Sequence, residues 1–284
     1  MAEHNNQQNK TESWLALVIG NTRLHWGYFY QGNLLDTWHT PHLTQASLRQ
    51  FQQARFQTDD RELIQPSEVW IASVVPDQLS LWLPSTTKER TTTVDESAVD
   101  EPNVYVIDRS RISLNNLYPT LGIDRAINLL GAGQISGWPT LVIDSGTALT
   151  FTAGSEETGN PSIHGGAILP GLRLQYESLA QKTASLGAHM PEAPAPVLPK
   201  RWATDTAGAI ASGVTYSFIA TVVDYLASWW QQFPHGKALL TGGDAPLLHH
   251  YLQQKTPEVA SRVLINSELM FYGMQVYRNE LMLF

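Results

Sequence analysis

The chain has no cysteine in its 284 residues. That excludes disulfides, thiolate nucleophiles and cysteine-based zinc or iron–sulfur sites together. Positive charge is also scarce: 18 lysines and arginines stand against 26 aspartates and glutamates, for a net charge of −8. No basic cluster offsets this, so a nucleic-acid backbone would meet net repulsion. Long apolar runs are missing too. The most apolar stretch, Gly213 to Trp230, is broken by Asp224 and several serines and threonines. It reads as a buried helix, because a membrane span needs about 18 or more apolar residues in succession. Met1 to Glu12 is polar and rich in Asn and Gln, which fits neither a secretory signal nor an anchor and reads as a disordered tail. No Walker Gly-Lys-Ser/Thr and no Gly-x-Ser-x-Gly elbow occurs, and no histidine pair has the metal-binding i, i+4 spacing with a glutamate. A cytoplasmic enzyme acting on small molecules, with neither nucleic acid nor membrane as partner, is the expected class.

What is present is a pattern that occurs twice. An apolar run from Trp14 halts at Gly20-Asn21-Thr22, resumes from Leu24 to Tyr30 and turns again at Gly32-Asn33, which predicts a three-stranded meander. A polar, helix-like stretch follows from Leu43 to Gln57, then a strand from Glu68 to Val75 ended by Pro76. Thr86 to Asn103 is charged and Thr-rich, an expected exposed loop. Val104 to Ile107 reads as a strand and Leu121 to Ile135 as a helix. The opening pattern then returns. Thr140 to Ile143 runs into Asp144-Ser145-Gly146-Thr147, Leu149 to Ala153 continues, and Ile163 to Leu169 forms a third strand before a helix from Gly171 to Thr183. The prolines between Gly187 and Lys200 predict an extended crossing, and Ala203 to Phe233 predicts a long helix. About 100 to 200 residues per domain and the repeated order suggest a duplicated α/β unit.

Each turn is weak on its own. A Gly-Asn-Thr tripeptide is usually a hairpin, and Asp124-Arg125 alone would suit the start of any helix. The Gly131-Ala132-Gly133 and Gly137 set follows a helix and misses the dinucleotide-binding spacing. Asp144 is more informative, since a carboxylate at the end of an apolar strand is costly to bury without a cation or donor. Glycine at the two turns would let backbone N–H groups and Thr hydroxyls approach a nucleotide's phosphates.

In this order and spacing, Gly20-Asn21-Thr22, Tyr118 with Leu121-Gly122-Ile123-Asp124-Arg125, and Asp144-Ser145-Gly146-Thr147 resemble the motifs of type III pantothenate kinases. So do Gly165-Gly166-Ala167-Ile168-Leu169-Pro170-Gly171, Thr183-Ala184-Ser185-Leu186, Asp205-Thr206 through Gly213, and Thr241-Gly242-Gly243-Asp244-Ala245. The resemblance covers about Trp14 to the C-terminus. It implies duplicated ribonuclease H-like domains of the actin-like ATPase type with a nucleotide cleft between them, set here at 13–120 and 121–284 after the tail at 1–12. It also implies ATP-dependent phosphorylation of pantothenate to 4′-phosphopantothenate, the first step towards coenzyme A.

Carried over by residue, the resemblance makes Asp124 the base that takes the hydroxyl proton of pantothenate. Tyr118, Gly122, Ile123, Arg125 and Thr206 hold that substrate, and Gly20, Asn21, Thr22, Gly146 and Thr147 hold ATP. Asp144 binds a monovalent cation, K+ or NH4+, and Mg2+ accompanies the nucleotide. A homodimer is implied, with Ala203 to Phe233 as its interface. Two positions depart from the family: Val18 stands where an Asp near the divalent metal is usual, and Thr152 where a second Asp is usual. Val18 favours a rival reading, a non-catalytic nucleotide- or pantothenate-binding regulator, although Asp124, Arg125, Asp144 and Thr206 are all retained. The Asp-Ser-Gly-Thr turn also resembles an aspartic protease, but that chemistry needs a second carboxylate at the first turn, where Val18 stands.

Overall fold

A computed structural model describes residues 13–44, 46–48, 56–57, 63–64, 66–83, 102–157, 159–182, 185–190 and 194–282. The tail Met1 to Glu12, most of the expected loop from Thr86, and Thr183-Ala184 lie outside the described residues. The chain divides into two compact units. One is Met1–Ile112 with Thr120–Ile127 and Met274–Phe284; the other is Ser113–Pro119 with Asn128–Gly273.

In the first unit β1 (Ser13–Ile19) is buried at every residue, as a strand covered on both faces must be, and this accounts for its unbroken apolar run. It pairs antiparallel with β2 (Leu24–Tyr30) on one side and parallel with β6 (Glu68–Ser73) on the other. β3 (Asn33–Thr40) extends one edge and β7 (Asn103–Val106) the other, giving the order β3-β2-β1-β6-β7. The core on one face gathers Leu17, Ile19, Trp26, Tyr28 and Ile71. Towards the other face, Trp14 stacks on Phe29 at 4.1 Å between centroids. The stretch Leu43 to Gln57 differs from expectation. Its described residues are helical only at 46–48, and Phe56–Gln57 is a strand, β4, paired with β5 (Leu63–Ile64).

The second unit repeats the sheet. β8 (Thr140–Ser145), β9 (Ala148–Glu157) and β10 (Asn160–Pro170) form an antiparallel meander, and β11 (Lys237–Thr241) and β12 (Val263–Ile265) add parallel to β8. The order β10-β9-β8-β11-β12 matches that of the first sheet strand for strand. This is the duplicated ribonuclease H-like arrangement of the actin-like type. Alternation along β8 divides its side chains: Leu141 and Ile143 enter a core with Phe151, Phe218, Val222 and Leu240, while Asp144 leaves on the opposite face.

The helix Thr206–Gln232 covers that core. Asp205 caps it, Oδ1 accepting the Gly208 N–H at 2.7 Å, and Pro234 follows its end. Ile210, Val214, Phe218, Val222, Leu226 and Trp229 are buried at spacings of three and four, the stripe of an amphipathic helix. Each such side chain stabilises the fold by about 1.5–3 kcal/mol. Ser212, Thr215 and Ile219 beside the stripe are buried as well, whereas Gly213, Ser217, Ala220 and Asp224 are exposed, so the helix expected to be buried is covered along one side only. By length and composition alone it could cross a membrane. Packing of one face on the sheet is sufficient reason for that apolarity. The proline-rich crossing also opens differently from expectation, on a 3-10 turn at Leu186–His189 that ends before Pro191.

Candidate functional site

The first turn follows directly from the β1–β2 hairpin. Gly20 N–H donates to Arg23 O at 3.0 Å, which closes a loop whose tip, Asn21 and Thr22, is exposed. The Gly20 carbonyl points out of the turn and accepts from His42 Nε2 at 2.9 Å. His42 is a tether that sequence reading missed. Val18, two residues earlier, is buried and pairs in register with His25.

The same unit holds the Leu121-to-Arg125 segment. Leu121 is buried, and its carbonyl accepts from Arg109 Nη1 at 3.1 Å. This fixes the chain where the helix Ile123–Ser136 begins. Asp124 sits in the first turn of that helix, half-buried, with Oδ1 accepting the Arg125 N–H at 2.9 Å. A negative group there is favoured by the exposed N–H groups and the helix dipole. Any side chain at Gly122 would collide with that Asp124 oxygen, so the glycine is a steric requirement for this carboxylate position. Arg125 is buried, 7% exposed.

In the second unit the turn after β8 is held from two sides. Gly146 N–H donates to Ala148 O at 3.0 Å, and Gly171 N–H to Thr147 O at 3.0 Å. A Cβ on Gly171 would run into the carbonyls of Gly146 and Thr147. Asp144, half-buried, accepts from Asn128 Nδ2 at 3.2 Å through Oδ2. Its Oδ1 faces Gly242, whose φ of +92° suits a residue without a Cβ, and a side chain there would strike that oxygen. Asp244 N–H then donates to Ser145 O at 2.8 Å, tying the Thr241-to-Ala245 segment to the turn. Burial pushes the Asp244 carboxyl up from its usual range, against the pull of Arg173.

Tyr118 is exposed and belongs to this second unit. Its loop is fastened to β10 by Asn115 N–H to Pro161 O at 2.9 Å and Ile163 N–H to Asn115 O at 3.0 Å. Thr206 opens its long helix in an exposed position. Thus Gly20, Asn21, Thr22, Gly122, Ile123, Asp124 and Arg125 are built on one unit, and Tyr118, Asp144, Gly146, Thr147 and Thr206 on the other.

The profile of the type III pantothenate kinase family matches residues 14–228. The chain belongs to that family. The type III pantothenate kinase of Nostoc sp. is 42% identical over 276 residues, covering 92% of this chain and 93% of its own. That of Synechocystis sp. is 35% identical over 266 residues, covering 94% and 90%. Among solved structures, the archaeal actin homolog Ta0583 in complex with ADP aligns at 10% identity over 95% of this chain and 99% of its own, with a TM-score of 0.44.

Within this type III pantothenate kinase family member, both departures are buried. Val18 is 4% and Thr152 1% exposed; Thr152 is paired in register with Val142 and Gly166. Neither lies in an exposed loop, so each is part of the sheet that carries its turn. Among the described residues no group of three or more His, Cys, Asp or Glu is placed to hold a metal ion. The Gly131 and Gly133 pair lies inside the helix Ile123–Ser136, away from any strand-to-helix turn.

Proposed function

We propose that this chain is a pantothenate kinase that transfers the γ-phosphoryl group of ATP to the primary hydroxyl of pantothenate, giving ADP and 4′-phosphopantothenate. The family match across residues 14–228 carries this reading, because it takes in both turns, the Asp124 segment and Thr206. Phosphoryl transfer asks mainly for positioning and charge stabilisation, with one carboxylate to orient the attacking hydroxyl. Asp124 is that carboxylate. It accepts the hydroxyl proton as the oxygen bonds to phosphorus and the bond to the ADP oxygen breaks. Arg125 and Thr206, with Tyr118, Gly122 and Ile123, bind pantothenate, the guanidinium matching its carboxylate. Gly20, Asn21, Thr22, Gly146 and Thr147 are assigned to the ATP phosphates. The backbone hydrogen bonds that fix both turns support this.

Mg2+, when bound with the nucleotide, would neutralise charge on the ATP phosphates. Val18 is buried and has no oxygen to offer, so Mg2+ at that turn would be held through the ATP phosphates and water. A monovalent cation, K+ or NH4+, is assigned to Asp144. A homodimer is expected, with the exposed side of the helix Thr206–Gln232 as its contact, and the cytoplasm is the expected compartment.

The second reading, a regulator that binds nucleotide or pantothenate without turnover, draws on Val18. Complementation separates the two. In a bacterium deprived of its own pantothenate kinase, the wild-type gene restores growth and Asp124→Asn does not. Failure of the wild type, with folded protein present that still binds ATP, favours the regulator.

A further inference from the structure

Asn128 lies in the helix Ile123–Ser136 at 1% exposure, a depth at which side-chain polar atoms find partners. Its Nδ2 donates to Asp144 Oδ2 at 3.2 Å, but its Oδ1 has no partner among the described residues. Thr241 stands beside Asp144 in the parallel register of β11 and β8, so the two side chains leave the sheet on the same face. Thr241 Oγ1 is buried and likewise unpartnered among the described residues. The other Asp144 oxygen, Oδ1, is directed at backbone that only glycine permits: a Cβ at Gly242 would strike it, and one at Gly146 would lie 3.7 Å away. A carboxylate with one oxygen held by the Asn128 amide and the other beside two glycines thus has near it two buried neutral oxygens that lack a partner among the described residues. One negative charge and neutral oxygens suit a weakly hydrated single-charge cation better than Mg2+, which dehydrates reluctantly.

We propose that Asn128 is a positioning residue for a monovalent-cation site at Asp144: its amide fixes the carboxylate, and its oxygen and that of Thr241 join the donor set. The proposal rests on the assignment of the cation to Asp144. Partners that orient a ligating carboxylate typically change metal affinity by about 10–100-fold when removed, and removing Asn128 also frees Asp144 to rotate away from Gly242.

The test is the thermal unfolding of the full chain as K+ replaces a bulky organic cation at constant ionic strength, with thallium(I) NMR as direct readout of binding. Wild type gains stability saturably with K+, Asp144→Ala shows no K+ response, and Asn128→Leu needs roughly 10–100-fold more K+ for half the effect. Thr241→Val, close to isosteric, moves the midpoint in the same direction and carries the test should Asn128→Leu not fold. Wild-type midpoints in both variants, with Asp144→Ala silent, overturn the role of Asn128 alone. Equal K+ responses of wild type and Asp144→Ala overturn the cation assignment and this proposal with it.

Discussion

Val18 and His25 face each other across the β1–β2 hairpin, and His25 in turn faces His39 across β2 and β3. The two imidazoles meet edge to face at 4.7 Å between centroids. Burial, then His39 and Arg23, hold the His25 pKa down to about 4 from 6.5, and burial with Arg23 lowers that of His39. The unfolded chain binds a proton that folded His25 resists. Its contribution is therefore present above pH 6.5 and lost as the pH falls towards 4. Thermal unfolding across this range shows a declining midpoint in wild type and a shallower decline in His25→Leu.

The same pairing makes Val18→Asp informative. A carboxylate at this buried position sits directly across from His25 and favours the imidazolium. NMR titration of the His25 ring then gives a pKa well above the wild-type value. An unmoved His25 pKa would contradict the placement of the two side chains against each other.

Asp124→Asn retains a helix-start acceptor for the Arg125 N–H, since asparagine serves at helix N-termini as well as aspartate. Its unfolding midpoint and ATP affinity stay at wild-type values, while turnover falls by about 10²–10⁴-fold, the usual contribution of a positioned base. Calorimetric titration with ATP beside a steady-state assay checks both halves.

Gly171→Ala places a methyl group against the Gly146 and Thr147 carbonyls, so the second turn must shift. A displacement of about 1 Å at a substrate-holding element costs roughly 10²-fold in rate. Loss in kcat/KM for ATP of that order, with the circular dichroism spectrum preserved, is the expected result.

Glu68 and Arg278 form a largely buried pair, Oε2 to Nε 2.9 Å with side chains 9% and 12% exposed, and Trp70 Nε1 donates to the same oxygen at 2.8 Å. Arg278→Met leaves a buried carboxylate without its cation, a loss of about 3–5 kcal/mol. Denaturant unfolding should show this, and Glu68→Leu with Arg278→Leu should be less destabilised than Arg278→Met alone.

The hairpins and both turns are legible in the sequence because each apolar run breaks at a short polar segment containing a glycine, Gly20-Asn21-Thr22 or Asp144-Ser145-Gly146-Thr147, and then resumes. Neighbours along the chain carry that signal. The helix capped by Asp205 is legible for the same reason, its stripe recurring at three and four. What the sequence withholds are contacts made across long separations. His42 reaches Gly20 over 22 residues, with nothing local to mark it. Asn128 stands four residues after Asp124 in a helical run, but an asparagine there looks solvated until β8 is laid beneath it. The register that sets Thr241 beside Asp144 depends on pairing β11 with β8, which no local pattern specifies. The strand Phe56–Gln57, at two residues, is too short for a period of two to be seen within a stretch that reads as helical.

The central claim is tested most directly by ADP release from purified wild type with ATP, Mg2+ and pantothenate, with and without K+ or NH4+, and with pantothenate omitted. Turnover that requires pantothenate and rises with the monovalent cation is the predicted result. Folded, ATP-binding protein that releases no ADP in response to pantothenate under any of these conditions would contradict it.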